Sequence, residues 1–336
     1  MNETPVRMGI IGLGVIAQRM LPLFTEHGQI RITAVCDVNG DLAAKIATDL
    51  GGIPAFTDYR RLLAEGAVDV VYVATPPAYH HAIALDVIRA GKHLFCEKPL
   101  ALNVAQAAEM VAAAEAAGVV TALNIGMPYR PGVRRFGELA AAGFLGELRR
   151  LDLTLIFPQW PRTWQMTPWV GSRAQGGPIR EVGPHFIHVI QRFFGPIARL
   201  RAEMEYPADP AACEHGAAGV LQLASGQIVT VNVVCHVPRP ESVILTAYGT
   251  KGTLAITGFR DLLVAAGNGP LVPDESLANA AQGLQPNQEL VANLVRGVCG
   301  EPADLIPLRG GLAIQRVLDA WELAAANGAW VDIPAI

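Results

Sequence analysis

The chain has 336 residues, of which 51% are hydrophobic and 17% charged. That length and balance provide for two domains with sizeable cores and exclude a disordered profile. A net charge of −4, with only isolated pairs at Arg60-Arg61, Arg134-Arg135 and Arg149-Arg150, excludes a general nucleic-acid binder.

The first apolar stretch, Met8–Ile16, is interrupted by glycines and has no small-residue cleavage site at a suitable distance. No uninterrupted apolar run reaches membrane-spanning length, so a soluble, cytoplasmic protein without membrane partners is expected. Cys36, Cys96, Cys213, Cys235 and Cys299 are widely spaced without Cys-x-x-Cys. That pattern fits neither a disulfide framework nor a zinc site and favours a reducing compartment.

Up to Asn124, short β-rich runs alternate with helical patterns. Strands are expected at Val6–Ile11, Ile30–Cys36, Val68–Ala74, His93–Cys96 and Val119–Asn124, with a weaker one at Ile53–Phe56. Helices are expected at Val15–Glu26, Gly40–Leu50, Tyr59–Glu65, Tyr79–Ala90 and Asn103–Ala117. Continuous apolar strands such as Val68–Ala74 suit a parallel sheet covered on both faces, and the alternation makes it doubly wound.

From Leu148 the rhythm changes to successive strands: Leu151–Phe157, Ile197–Tyr206, Ala217–Leu223, Gln227–Val234, Ser242–Tyr248, Gly252–Thr257 and Leu262–Ala266. Turn signals such as Ser225-Gly226 separate them, which predicts a large, mostly antiparallel open sheet in an α+β domain. Helices are expected at Gly132–Ala142, Glu181–Phe194, Asn287–Val298 and Gly310–Asn327, and a loop at Gly267–Gln285. The domains are accordingly residues 1–124 and 125–336. An open sheet with few helices needs its second face covered, which predicts a homodimer or homotetramer through it.

Three stretches carry chemistry. Gly12-Leu13-Gly14-Val15-Ile16-Ala17 follows the first strand and opens the first helix. Gly12 permits a tight turn, Gly14 lets the backbone approach a pyrophosphate, and Ala17 allows close helix–strand packing. Asp37 ends the second strand, where a carboxylate accepts from the adenosine ribose. It repels a 2′-phosphate, and no arginine follows in Val38-Asn39-Gly40-Asp41, so NAD is favoured without excluding NADP.

The second stretch is Glu97-Lys98-Pro99 at a strand's carboxyl end, where open α/β sheets place ligands. Proline keeps Lys98 out of the helical region. Lys98 reads either as an active-site cation orienting a substrate oxygen or as a surface lysine in a salt bridge.

The third runs from Gly176-Gly177 through Glu181 and Pro184, the latter expected in the helix's first turn. At about 100° per residue, Glu181, His185, His188 and Arg192 share one stripe opposite Val182, Phe186, Val189 and Phe193. A solvated face and a metal site compete with a third reading, which is preferred. In it His185 exchanges a proton with a substrate hydroxyl and Glu181 orients it, as hydride transfer to or from an alcohol carbon requires.

With these motifs, Thr75-Pro76-Pro77-Ala78-Tyr79-His80 and Gly183-Pro184-His185, nearly the whole chain resembles the glucose–fructose oxidoreductase, inositol dehydrogenase and rhizopine catabolism family (Gfo/Idh/MocA). The resemblance implies a Rossmann domain followed by an open-sheet α/β domain. It further implies NAD(P)-dependent oxidation or reduction of sugars, inositols and related polyols, with Lys98 and His185 catalytic. Thr75, Pro76, His80, Glu97 and Lys98 would lie along the cofactor, with no metal required. Tyr129, Trp164, Trp169 and Arg173 are candidate substrate-pocket residues, aromatic faces being suited to sugar rings.

Three positions depart from the family's usual pattern. Glu181 stands for an aspartate and reaches one methylene further, His188 replaces an anion beside the substrate with a titratable group, and Pro77 replaces an asparagine. A different class on the same scaffold, a non-catalytic dinucleotide-binding regulator or sensor, remains the alternative.

Overall fold

The computed structural model describes residues 4–277 and 285–335. Its contacts divide the chain into two units: residues to Ile125 with Asn287–Gln315, and Gly126–Pro286 with Arg316–Ile336. The C-terminal segment therefore contributes to both units, where the linear reading assigned it wholly to the second.

The first unit contains β1 (Val6–Ile11), β2 (Ile30–Cys36), β3 (Ala55–Phe56), β4 (Val70–Val73), β5 (His93–Cys96) and β6 (Thr121–Leu123). They form one six-stranded sheet in the order β3-β2-β1-β4-β5-β6, parallel throughout. Every residue of β4 is buried, as its unbroken apolar run requires. Strand order reverses between β1 and β4, so the crevice of this doubly wound sheet opens at their carboxyl ends.

Between the strands run α1 (Val15–Glu26), α2 (Gly40–Asp49), α3 (Tyr59–Glu65), α4 (Pro77–Arg89) and α5 (Val104–Ala117). Asn39, Asp58 and Asn103 cap three of them by accepting backbone N–H bonds. α4 starts two residues earlier than expected because Pro77 occupies the first helical position, where its fixed φ is pre-organised. The returning segment joins this unit through a 2.8 Å bond from Leu123 N–H to the Ile306 carbonyl and an Arg309–Glu115 ion pair.

The second unit opens with α6 (Pro131–Ala141), β7 (Leu148–Phe157) and α7 (Pro178–Phe194). There follow β8 (Ile197–Glu205), β9 (Gly216–Leu223), β10 (Ile228–Cys235), β11 (Ser242–Gly249), β12 (Gly252–Thr257), β13 (Asp261–Ala266) and β14 (Val272–Pro273). After α8 (Pro286–Val298) and α9 (Leu308–Asn327), β15 (Val331–Asp332) completes a nine-stranded sheet ordered β14-β13-β12-β11-β7-β10-β9-β8-β15. All of its pairings are antiparallel except β7 with β10, which makes the sheet mixed. β14 lies in the stretch expected as loop, of which residues 278–284 lie outside the described residues.

One face of this sheet is buried by Leu151, Leu153 and Leu155 alternating along β7 and by Val229, Val231 and Val233 along β10. The other face is half-exposed at Asp152, Thr154, Thr230, Val234 and Ile244. On the buried face the six-membered ring of Trp321 of α9 presses on Gly219 of β9, leaving no room for a Cβ there. Phe136 of α6 packs on Phe193 and Phe194 of α7 at ring separations of 6.1 and 5.8 Å.

α7 begins at Pro178, three residues before its expected start, so Pro184 is an internal residue rather than one of the first turn. The cause is non-local: Gly177 adopts φ 104° at the cap and the Glu214 carboxylate accepts the Ile179 N–H at 2.9 Å. Pro178 then supplies the first helical position.

Gly219→Ala forces overpacking against Trp321 and is expected to cost about 1–3 kcal/mol. A lower urea midpoint with an unchanged m-value checks it.

Candidate active site

In the first unit, the chain leaves β1 through Gly12, whose N–H donates to the Cys36 carbonyl at 2.9 Å. Gly12 has φ 89°, and a Cβ there would stand 2.7 Å from the Ala74 carbonyl carbon and the Thr75 nitrogen. Only glycine allows this turn to press on the end of β4. Gly14 caps α1 without a side-chain bond, and a Cβ on it would meet nothing within 4 Å among the described residues. The first N–H groups of α1, at Val15, Ile16 and Ala17, thus sit at an open, partially positive helix end suited to a phosphate.

Asp37 closes the turn from β2: its Oδ2 accepts Leu13 N–H at 2.8 Å and its Oδ1 accepts Asn39 N–H at 2.9 Å. Each oxygen keeps a second lone pair for a hydroxyl. The Thr75 hydroxyl is buried with no hydrogen-bond partner among the described residues. An open helix end, a carboxylate at the end of β2 and an unmatched buried hydroxyl fit a dinucleotide.

The loops after β4 and β5 are tied by His80, which is fully buried. Its Nε2 lies 2.8 Å from the Thr75 carbonyl and its Nδ1 2.9 Å from the Pro99 carbonyl. Both ring nitrogens face backbone carbonyls and the one that carries the proton donates, so His80 serves the crevice by bracing the segments that carry Thr75, Pro76 and Lys98. Burial holds its imidazole below the ordinary histidine value.

Glu97 is buried beside Lys98. Its Oε1 accepts from the Tyr72 hydroxyl at 2.5 Å and from the Asn124 side-chain amide. Its Oε2 faces Lys98 N–H at 3.4 Å. Burial raises the Glu97 carboxyl above its ordinary range and, with the Glu97 charge, raises the Tyr72 hydroxyl far above its own. Tyr72 is itself locked by stacking on Phe95 at 4.8 Å and by the edge of Phe24 at 5.3 Å. Half-buried Lys98 projects from this anchored end of β5, joined to Pro99 by a cis peptide. Tyr72 and Asn124 escaped sequence reasoning; their signal was a hydroxyl and an amide on strands of otherwise apolar pattern.

In the second unit, the polar stripe of α7 grades outward. Glu181 is 2% exposed, His185 and His188 are half-buried, and Arg192 is exposed. Val182, Phe186 and Val189 are buried on the opposite side. Gln165 donates from Nε2 to Glu181 Oε2 at 3.2 Å, and Arg162 donates from Nε to Gln165 Oε1 at 2.8 Å. Phe259 presents its ring to His185 edge-on, 6.1 Å away at 85°. Arg162 and Phe259 lie in loops and Gln165 in the short 3-10 turn Thr163–Gln165, where no periodicity singled them out.

Trp164 is 36% exposed, with the Arg162 guanidinium 5.0 Å from its ring. That places it in the same cluster. Trp169 is half-buried in the following turn, and its carbonyl accepts the Ser172 hydroxyl. Tyr129 is buried, with Arg134 over its ring at 6.0 Å. Arg173 stacks on Tyr206 at 3.7 Å, and its carbonyl accepts from Arg180. Among the described residues no three His, Cys, Asp or Glu side chains are grouped to hold a metal ion, and no helix is long and apolar enough to cross a membrane.

A doubly wound parallel unit with an open glycine-rich helix end, followed by a second unit on a large mixed sheet, defines a dinucleotide-binding oxidoreductase architecture. Residues 6–125 match the oxidoreductase family model with an NAD-binding Rossmann fold, and residues 133–255 match the GFO/IDH/MocA C-terminal domain. The chain belongs to the GFO/IDH/MocA oxidoreductase family.

A dTDP-3,4-didehydro-2,6-dideoxy-alpha-D-glucose 3-reductase from Actinomadura kijaniata is 30% identical over 58% of this chain and 58% of its own length. The chain spans less than two thirds of most of the curated relatives it matches. Among solved structures, the WlbA dehydrogenase of Bordetella pertussis with NADH and UDP-GlcNAcA superposes with TM-score 0.88 at 20% identity, covering 100% of both chains. A levoglucosan dehydrogenase complexed with NADH gives TM-score 0.87 at 19% identity, covering 99% of this chain and 100% of that one. At these identities the likeness is one of fold.

Glu214, which holds the start of α7, is pushed up to about 7 by burial from an ordinary value of 4.5. The folded state therefore keeps a proton that the unfolded chain releases, and this group's contribution to stability declines as pH rises from 4.5 to about 7. Glu214→Gln removes that decline. Urea unfolding at pH 4.5 and pH 8 is expected to show the variant gaining about 3 kcal/mol relative to wild type across the interval.

Proposed function

We propose that this protein transfers hydride between a nicotinamide dinucleotide and a CH–OH or C=O group of a sugar, inositol or related polyol. The observation that carries the reading is the α7 stripe: a buried glutamate one turn from a half-buried histidine, in a family member whose dinucleotide cradle is open. The dTDP-sugar reductase, the WlbA dehydrogenase and the levoglucosan dehydrogenase support a sugar-like substrate by their names.

The pyrophosphate is assigned to Gly12, Gly14 and the α1 N–H groups, the adenosine ribose to Asp37, and the Thr75–Pro76 and Glu97–Lys98 segments to the nicotinamide side. When bound, the dinucleotide supplies the ring that accepts or gives the hydride. The Asp37 carboxylate, with no arginine in the four residues after it, favours NAD. Lys98 orients the reacting oxygen and stabilises the negative charge it acquires. His185 takes the hydroxyl proton on oxidation and returns it on reduction, with Glu181 fixing its orientation. His188, Trp164, Trp169, Arg173 and Tyr129 are assigned to the substrate side.

The half-exposed face of the second unit's sheet, with Ile244 and Val234 among Thr154 and Thr230, is assigned to a homodimer or homotetramer. Five free cysteines suit a cytoplasmic setting. Ile244→Asp is expected to reduce the mass measured by light scattering to that of the monomer.

Lys98→Ala and His185→Ala are each expected to lower turnover by about 10²–10⁴-fold while NADH binding, followed by fluorescence, survives. The assay is nicotinamide reduction over aldoses, lactones, inositols and dihydrodiols with NAD and with NADP. Wild-type turnover in both variants would overturn the roles. NADH binding without reduction by any substrate would favour the regulator reading.

A further inference from the structure

Gln165 bonds to Glu181 through its side-chain amide, and the direction of that bond is not arbitrary. A glutamine amide presents an acceptor at one end and donors at the other. Arginine has no acceptor, so Arg162 Nε, 2.8 Å from the amide, must meet its oxygen. The NH₂ end is thereby turned to Glu181 Oε2 at 3.2 Å, inside the protein, where Gln165 is 6% exposed.

Arg162 is itself fixed. Its guanidinium lies 5.4 Å from the Phe157 ring and 5.7 Å from Trp160, and it reaches Glu241 at 3.5 Å. It also lies 5.8 Å from Phe259, the ring that meets His185 edge-on. A cation held among aromatic faces thus sets the polarity of a buried amide, and the amide sets which oxygen of Glu181 is engaged.

We propose that Arg162 and Gln165 are positioning residues that hold the Glu181 carboxylate in place on the α7 stripe it shares with His185. The inference rests on the reading of Glu181 and His185 as the proton-handling pair. Other charged or titratable groups nearby are His188 and Arg192 on the same stripe, the Arg260–Asp261 pair beside Phe259, and Glu241 behind Arg162. α9, which approaches α7 through Leu318 near Gly183, carries Asp319 and Glu322. The test alters none of these.

Gln165→Glu keeps the shape and the bond to Arg162 but turns an acceptor with negative charge onto Glu181. It is expected to lower kcat by about 10- to 100-fold, the usual cost of losing an outer partner, with NADH affinity unchanged. The added charge stabilises the imidazolium, so the ascending limb of kcat moves to higher pH by about one unit. The His185 imidazole pKa, followed by NMR and assigned by the signal missing in His185→Gln, rises with it. A merely structural role would lower activity with both pH readouts unmoved, and that result overturns the proposal.

A cycle of Arg162→Lys, Gln165→Met and the double variant supplies the same decision if Gln165→Glu does not fold. A relay predicts that Arg162→Lys costs little once Gln165 is gone, and additive losses overturn it. If no polyol is turned over by the wild type, the functional reading fails, while the imidazole pKa still decides the relay.

Discussion

The hydrogen bond between the Glu214 carboxylate and the Ile179 N–H, made across 35 residues of sequence, is the constraint on which the second unit's chemistry depends. The stripe of Glu181, His185 and His188 exists only if α7 has begun by Glu181, and a start at Pro178 places all three well inside the helix. Proline at position 178 and glycine at 177 permit that start, and a carboxylate at the positive end of the helix enforces it. The arrangement buries an acid at a cost, which is why Glu214 holds its proton so far above the ordinary range. The same tactic recurs in the first unit, where buried Glu97 collects the Tyr72 hydroxyl and Asn124 amide and so fixes the end of β5 from which Lys98 extends. In each half a buried glutamate fixes the backbone that carries a proposed catalytic side chain.

Much of this was legible in the chain because it is local. Apolar runs and turn residues placed β1 to β6 and their helices within a few residues. Gly12 and Gly14 could be read as a cradle because glycine's freedom matters only where a turn or a close approach demands it. The stripe of Glu181, His185 and His188 follows from helical periodicity alone. What escaped depends on distant partners. The early start of α7 needs Glu214, and the parallel pairing of β7 with β10 joins Leu151 to Val229, strands separated by a helix and two further strands. Asn287–Gln315 packs with the first unit, an association that no local pattern announces. Arg162 and Phe259 sit in loops and Gln165 in a short turn, where a side chain's importance is defined by what it meets and not by spacing.

The two units differ in how they hold polar groups. The first keeps its acid, hydroxyl and imidazole at strand ends, where backbone carbonyls and N–H groups from neighbouring loops are near at hand; His80 bridging Thr75 and Pro99 is the clearest case. The second draws side chains together from a long connection and packs them with aromatic rings, so that Arg162 contacts four rings while bonded to Gln165. A crevice at strand ends suits a ligand of fixed shape. A loop-borne aromatic and polar cluster can vary without disturbing the sheet beneath it.

Asp37 carries two duties that pull against each other. Under the proposed function, the carboxylate assigned to discriminate between dinucleotides is also the clasp of the glycine turn, through the N–H groups of Leu13 and Asn39. Retargeting this protein to the phosphorylated cofactor is therefore not a matter of exchanging one charge for another at the end of β2. A replacement without an acceptor would leave the Leu13 N–H adrift and slacken the loop assigned to the pyrophosphate, which on that assignment weakens both cofactors at once. A successful redesign must first give that N–H a new acceptor, such as a serine or asparagine oxygen, and only then bring in a cation from Val38 or Asn39.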